Sequence, residues 1–211
     1  DFQRQVDKSD DYWGKVTRNV QCPVNEDQLL GECKKRLENE KKFIGRCLDS
    51  ILHQDYPNGR VEILVADGMS TDKTRDILQA YVIQYGCIRW FENPKKIVPT
   101  GLNILILQAK GEVIIRMDAH NEYPRDYVSK CVKYLEEYQV DNVGGICITR
   151  PGADTLVAKA IAEAVSCSFG IGNAAYRLGV KEPKYVDTVP FGCFRKEVFN
   201  KVGLFDEELA R

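Results

Sequence analysis

Two apolar runs in this chain each deliver an acid. Residues 61–66 read Val-Glu-Ile-Leu-Val-Ala and lead into Asp67-Gly68. Residues 112–117 read Glu-Val-Ile-Ile-Arg-Met and lead into Asp118-Ala119-His120. Short apolar runs bounded by turn residues read as strands. In an open α/β sheet, ligands bind just outside the carboxyl ends of the strands. Two acids emerging there, one with a second potential metal ligand two residues on, point to a site for a metal ion and a polar, phosphorylated ligand.

The rest of the chain supports such a sheet. Phe43, Ile44, Cys47, Leu48, Ile51 and Leu52 mark one face of a helix. After the strand at 61–66, Ser70-Thr71-Asp72 can cap a helix over 73–85, with Gly86 as its stop. A short strand at 87–91 is broken by Asn93-Pro94, and a helix is expected over 100–109. Beyond the strand at 112–117, Pro124 opens a helix whose apolar face carries Val128, Cys131, Val132 and Leu135. A strand over 143–149, an apolar helix over 155–169, an extended piece at 185–189 and a helix over 195–202 complete the pattern. Strands alternating with helices predict a mostly parallel sheet. Residues 1–38 stand outside it as an atypical N-terminal segment, too charged to offer the usual buried first strand.

Composition narrows the choice. A chain of 211 residues with 44% hydrophobic and 29% charged residues fits one α/β domain, or a domain plus an appendage. Thirty basic residues against 31 acidic ones leave a net charge of −1, so nothing points to a nucleic acid polymer. Eight cysteines contain no Cys-x-x-Cys pair and read as reduced thiols of a cytoplasmic protein. No run of 18 apolar residues is present.

Each candidate has a plain alternative. Asp118 and His120 together offer an oxygen and a nitrogen to a divalent ion; singly, they read as a turn acid and a surface histidine. Asp67 can accept from a base N–H or a ribose hydroxyl, or merely close an Asx turn. Asn39-Glu40 has the form of an ordinary helix start. Lys95-Lys96 offers cations to a diphosphate, or a solvated surface. The loop from Asp187 to Gly192 is a binding loop or a packed connector.

Taken in order, the motifs resemble one family. Asn39-Glu40-Lys41-Lys42-Phe43-Ile44, Asp67-Gly68-Met69-Ser70-Thr71-Asp72, Leu102-Asn103, Arg116-Met117-Asp118-Ala119-His120 and Gly203-Leu204-Phe205-Asp206-Glu207 together resemble a family 2 glycosyltransferase of GT-A fold. The stretch from Asn93 to Asn103 and the Asp-Ala-His ending resemble the succinoglycan-type exopolysaccharide glucosyltransferases more narrowly. The resemblance implies a GT-A domain over 39–211, incomplete at both ends. It implies that Glu40 and Asp67 hold the uridine of a nucleotide-sugar donor, that Asp118 sits at the ribose and metal, and that His120 replaces the second acid of Asp-x-Asp as metal ligand. Lys96 would contact phosphate, and the loop from Asp187 to Gly192 would face the acceptor. The cofactor implied is Mn²⁺ or Mg²⁺, and the acceptor a saccharide or lipid-linked hydroxyl.

Two departures accompany the resemblance. Arg36 stands where the family has a proline after its first strand. The chain also stops at Arg211, short of the acidic pair that supplies the catalytic base. The expectation is therefore a fragment of a longer, membrane-associated protein acting at the inner face of the membrane. The reaction implied is inverting sugar transfer in polysaccharide biosynthesis. A nucleotide-sugar-binding domain without turnover and a nucleotidyltransferase are the alternatives.

Overall fold

The computed structural model describes residues 19–21, 43–172 and 174–208. A short strand, β1 (Asn19–Gln21), precedes helix α1 (Ile44–Leu52). The expected alternation follows: β2 (Ile63–Asp67), α2 (Thr74–Gln84), β3 (Ile88–Glu92), α3 (Val98–Gln108), β4 (Val113–Ile115), α4 (Tyr127–Glu137) and β5 (Asn142–Gly144). The remainder is α5 (Leu156–Ala164), the short helices α6 (Ser168–Ile171) and α7 (Ala175–Leu178), β6 (Lys184–Tyr185), β7 (Cys193–Arg195) and α8 (Glu197–Val202).

Local chemistry sets several boundaries. The Asp72 carboxylate accepts from Thr74 N at 2.9 Å and satisfies a free donor at the start of α2. Pro99 lies in the first turn of α3, where its missing N–H removes no helical bond. The Thr155 hydroxyl accepts from Ala158 N at 3.2 Å and caps α5.

The described strands form two sheets, one ordered β4-β7-β5-β1-β6 and one pairing β2 with β3. Strands β2 and β3 are parallel, as are β1 and β5. Strand β7 lies antiparallel between β4 and β5, and β6 runs antiparallel to β1. In the larger sheet β4, β5 and β1 thus point one way, with β6 and β7 reversed.

Helix α1 joins the two halves. Its Ile44 and Leu48 enter a core with Ile63, Leu78 and Ile88 from β2, α2 and β3. Its Cys47 enters a second core with Tyr127, Cys131 and Leu135 of α4, Val143 of β5 and Cys193 of β7. Ile51 packs on both. An i, i+3, i+4 stripe on one short helix therefore serves two cores.

Three expectations need correction. Residues 1–38 were expected to stay out of the sheet, yet Asn19–Gln21 pairs with β5 on one side and β6 on the other. Its cohesion comes from main-chain ladders, which need no apolar period. Residues 28–38 and Asn39-Glu40 lie outside the described residues. The expected strand over 143–149 ends at Gly144, and β7 occupies residues just before the expected 195–202 helix. Cys-Phe-Arg is too short to show alternation, so its reversed pairing is invisible in the sequence. Helix α5 forms as expected, but Leu156, Val157 and Ile161 are exposed on it. The six described cysteines are all free thiols, and no described helix is long and apolar enough to cross a membrane.

Candidate functional site

Strand β2 ends at Asp67, whose side chain is only 1% exposed. A carboxylate so deep needs partners. Both of its oxygens accept from Ser70 N at 3.2 Å, and Oδ2 also accepts from Arg75 Nε at 2.6 Å. Arg75 in turn reaches Glu92 at 3.1 Å and lies 5.5 Å from the centre of the Trp90 ring. The hydrogen bond from Arg75 to Asp67 holds the guanidinium above its usual pKa. The Asp67 carboxylate thus closes a local turn, onto the amide three residues on rather than two as in an Asx turn. Two carboxylate oxygens have about four lone-pair positions, so the turn does not by itself exhaust the group.

Asp118 emerges just beyond β4 and is held differently. Its carboxylate is 25% exposed, and Oδ1 accepts from Arg116 Nε at 3.1 Å. Among the described residues, Oδ2 takes no protein hydrogen bond. Its backbone is pinned from below. Asp118 N donates to the Tyr123 hydroxyl at 2.7 Å, and Cys47 Sγ of α1 lies 3.6 Å from Asp118 O. Tyr123 N donates to Ser50 Oγ, which donates to Cys47 O at 2.8 Å. Residues 118–123 thus form a turn fastened to α1. His120 lies in that turn, half-buried. Burial, then the charges of Asp118 and Glu122, push the Cys47 thiol up to about 12, so it stays a neutral packing group.

Arg89, at the start of β3, donates to Gln108 O at the end of α3, so α3 returns to the edge where β3 began. There Glu62, just before β2, accepts from Lys110 N and, at 2.9 Å, from Gly111 N, just before β4. Strands β2, β3 and β4 start together. At the other end of β2, Asn93 N donates to Asp67 O, while Ala119, next to Asp118, packs against the core built from α1, β2, α2 and β3.

The other candidates are placed as follows. Lys95 is paired with Glu207 at 2.7 Å, whereas Lys96 is exposed and adopts a left-handed φ of 58°. Asp187 is exposed, and Gly192 is buried. Between them the loop crosses β5 so closely that a Cβ on Gly144 would strike Val189 Cγ1 and lie 2.9 Å from Pro190 O. Gly192 is equally crowded, by Asn142 and the Phe194 ring. The loop is thus a packed connector with an exposed start. Glu40 lies outside the described residues.

The sequence did not single out Arg75, Arg116 or Tyr123. The only trace of the first two is an arginine near each strand-end acid. Tyr123 left none, because a tyrosine before a proline carries no pattern.

Among the described residues, no three of His, Cys, Asp or Glu gather as a metal site. One carboxylate oxygen and one imidazole still fit a divalent ion that completes its shell with ligand oxygens and water.

Residues 38–203 match the model of glycosyl transferase family 2. The chain belongs to that family. It is 30% identical over 175 residues to the succinoglycan biosynthesis protein ExoA of Rhizobium meliloti, covering 82% of this chain and 52% of ExoA. It is 33% identical over 115 residues to a Methanococcus voltae dolichyl N-acetyl-alpha-D-glucosaminyl phosphate 3-beta-D-2,3-diacetamido-2,3-dideoxy-beta-D-glucuronosyltransferase, covering 51% of this chain and 36% of that protein. The chain therefore spans about half or less of these relatives. The crystal structure of S. aureus TarS 1–349 in complex with UDP superposes with a TM-score of 0.60 at 18% identity, covering 82% of this chain and 48% of that one. Its complex with UDP-GlcNAc gives 0.58 at 18%, covering 81% and 47%. These likenesses show that the family 2 domain has the GT-A fold.

Proposed function

We propose that this chain forms the donor-binding part of a glycosyltransferase that moves a sugar from a UDP-sugar to a saccharide or lipid-linked hydroxyl, with inversion, in polysaccharide biosynthesis. The observation that carries the reading is that β2 and β4 start together and each leads to an acid, the second having, among the described residues, a carboxylate oxygen without a hydrogen bond and His120 two residues on in the same turn. Family membership, and TarS structures bound to UDP and UDP-GlcNAc, support a nucleotide-sugar donor.

In this reading Asp67, fixed by Arg75 and the Ser70 amide, presents its remaining lone pair to the uracil edge, and Glu40 is a second uridine contact. Asp118 meets the ribose and, with His120, holds a divalent ion, Mn²⁺ or Mg²⁺. When bound, that ion offsets charge on the leaving diphosphate. Lys96 adds a cation on the phosphate side. The exposed start of the 187–192 loop, at Asp187, faces the acceptor. Arg116 turns the Asp118 carboxylate so that Oδ2 points away from its own partner.

Calorimetric titration of UDP in the presence of MnCl₂ tests the reading. Asp118→Asn should weaken UDP at least about tenfold, equivalent to ~1.4 kcal/mol. Unchanged UDP affinity in Asp118→Asn would remove Asp118 from the donor site.

A further inference from the structure

We propose that Tyr123 is a positioning residue for the donor site, acting through its hydroxyl on Asp118. The inference rests on the reading that Asp118 and His120 serve the donor and its ion. It concerns how one turn gives them a fixed relative placement.

Besides Tyr123, the turn is held by the Cys47 thiol on Asp118 O and by Ala119 against the neighbouring core. Asp118 and His120 stand on the irregular connection over 116–126, between a three-residue strand and α4. Inside the turn, the one described backbone bond is Asn121 N to Asp118 O at 3.1 Å. Tyr123 closes the turn from its far end. The hydroxyl accepts from Asp118 N at 2.7 Å and lies 3.5 Å from Asp118 O, so one group meets both sides of the same residue. Its own placement is rigid. Tyr123 is 9% exposed and its ring lies 5.2 Å from that of Tyr127. Its amide is tied to Ser50 Oγ on α1, and Gln54 Nε2 donates to the next carbonyl, Pro124 O, at 2.8 Å.

The consequence follows from geometry. Rotation about the Asp118 backbone swings its carboxylate and changes the separation from the His120 imidazole. A single ligand group tolerates such a swing, because the bound molecule adjusts. Two protein groups on one ion do not, since coordination demands both at fixed distances. Loss of the hydroxyl should therefore harm ion-supported binding more than binding of the nucleotide alone.

The experiment titrates UDP into the full chain with and without MnCl₂, alongside melting curves, for five variants. Tyr123→Phe keeps the ring and removes the hydroxyl. Tyr81→Phe is the control, removing a hydroxyl that bonds Asp49 and Gly45 O on the same helix α1. Ser50→Ala loosens the turn from its other fastening and serves if Tyr123→Phe folds poorly. Asp118→Asn and the double variant Asp118→Asn/Tyr123→Phe complete the set.

The expected result has three parts. Tyr123→Phe weakens UDP about five- to tenfold with Mn²⁺ and less than twofold without it. Ser50→Ala moves the same way by less, and Tyr81→Phe leaves both affinities unchanged. The double variant binds no worse than Asp118→Asn, because the two losses share one route. If Asp118→Asn loses affinity while Tyr123→Phe and Ser50→Ala do not, the positioning role is wrong and the donor site stands. Equal losses with and without Mn²⁺, matched by Tyr81→Phe at a similar fall in melting temperature, mean a purely structural tyrosine and also overturn it. If Asp118→Asn itself binds as wild type, the donor-site reading falls first and takes this inference with it.

Discussion

His120 differs from a carboxylate in what it can hold. An imidazole nitrogen suits the later first-row ions, whereas Mg²⁺ prefers oxygen alone. If His120 is a ligand, wild type should favour Mn²⁺ over Mg²⁺ in supporting UDP binding. His120→Asp should bring the two ions toward parity, and His120→Ala should weaken both. Equal support by both ions, unmoved by either substitution, would return His120 to the plain surface reading. Glu62 makes a separate prediction at this scale. Burial raises its carboxyl, but the amides of Lys110 and Gly111 and the Arg89 guanidinium outweigh burial and hold it below its ordinary 4.5. A folded-state pKa below the unfolded one stabilises above 4.5, and that stabilisation is lost as pH falls through the folded value. Glu62→Gln should therefore lower the melting temperature at pH 7, and the gap to wild type should close on acidification below 4.5. A gap that stays constant with pH would mean that Glu62 acts through its uncharged hydrogen bonds alone.

Among the elements, the chain after α8 is fastened by a buried side chain as well as by the Lys95–Glu207 pair. Asn103 of α3 accepts from Phe205 N at 2.9 Å, donates to Phe205 O at 2.8 Å and reaches Glu207 Oε1 at 3.1 Å. The bonds span about a hundred residues of sequence, so they join α3 to the far end of the domain. Asn103→Ala should cost about 1–3 kcal/mol in urea unfolding, because it strands backbone groups that have no other described partner. It should also speed hydrogen exchange at the Phe205 amide. Unchanged exchange there would show that the clamp is not what orders the segment. The elements themselves were legible to different degrees. Helices α1 and α4 announced themselves, because their apolar stripes follow the helical period and bury Ile44, Cys47 and Leu48, or Val128, Cys131 and Leu135. Strands β1 and β7 did not, since three residues held by ladders on both sides need no pattern of their own. Helix α5 was legible as a helix but not in its exposure.

At the scale of the molecule, the proposed site draws on two cores rather than on either alone. Helix α1 packs Ile44 and Leu48 on one side and Cys47 on the other, and the turn bearing Asp118 is fastened to its surface. The sequence displayed both strand-end acids, because a strand followed by Asp is a local signal. It could not display Arg75 on Asp67 or Tyr123 under Asp118, because those contacts depend on how the helices return. In the proposed function, a nucleotide diphosphate and its ion bind where β2 and β4 end. Manganese tests this most directly, because it broadens the amide signals of nearby nuclei. In a ¹⁵N-labelled chain with UDP, adding substoichiometric Mn²⁺ should selectively broaden the amides of Asp118, Ala119, His120 and Asn121, while UDP alone shifts those of Gly68 and Met69. Broadening centred on another part of the fold, or no shift at Gly68 and Met69 under saturating UDP, would contradict the account.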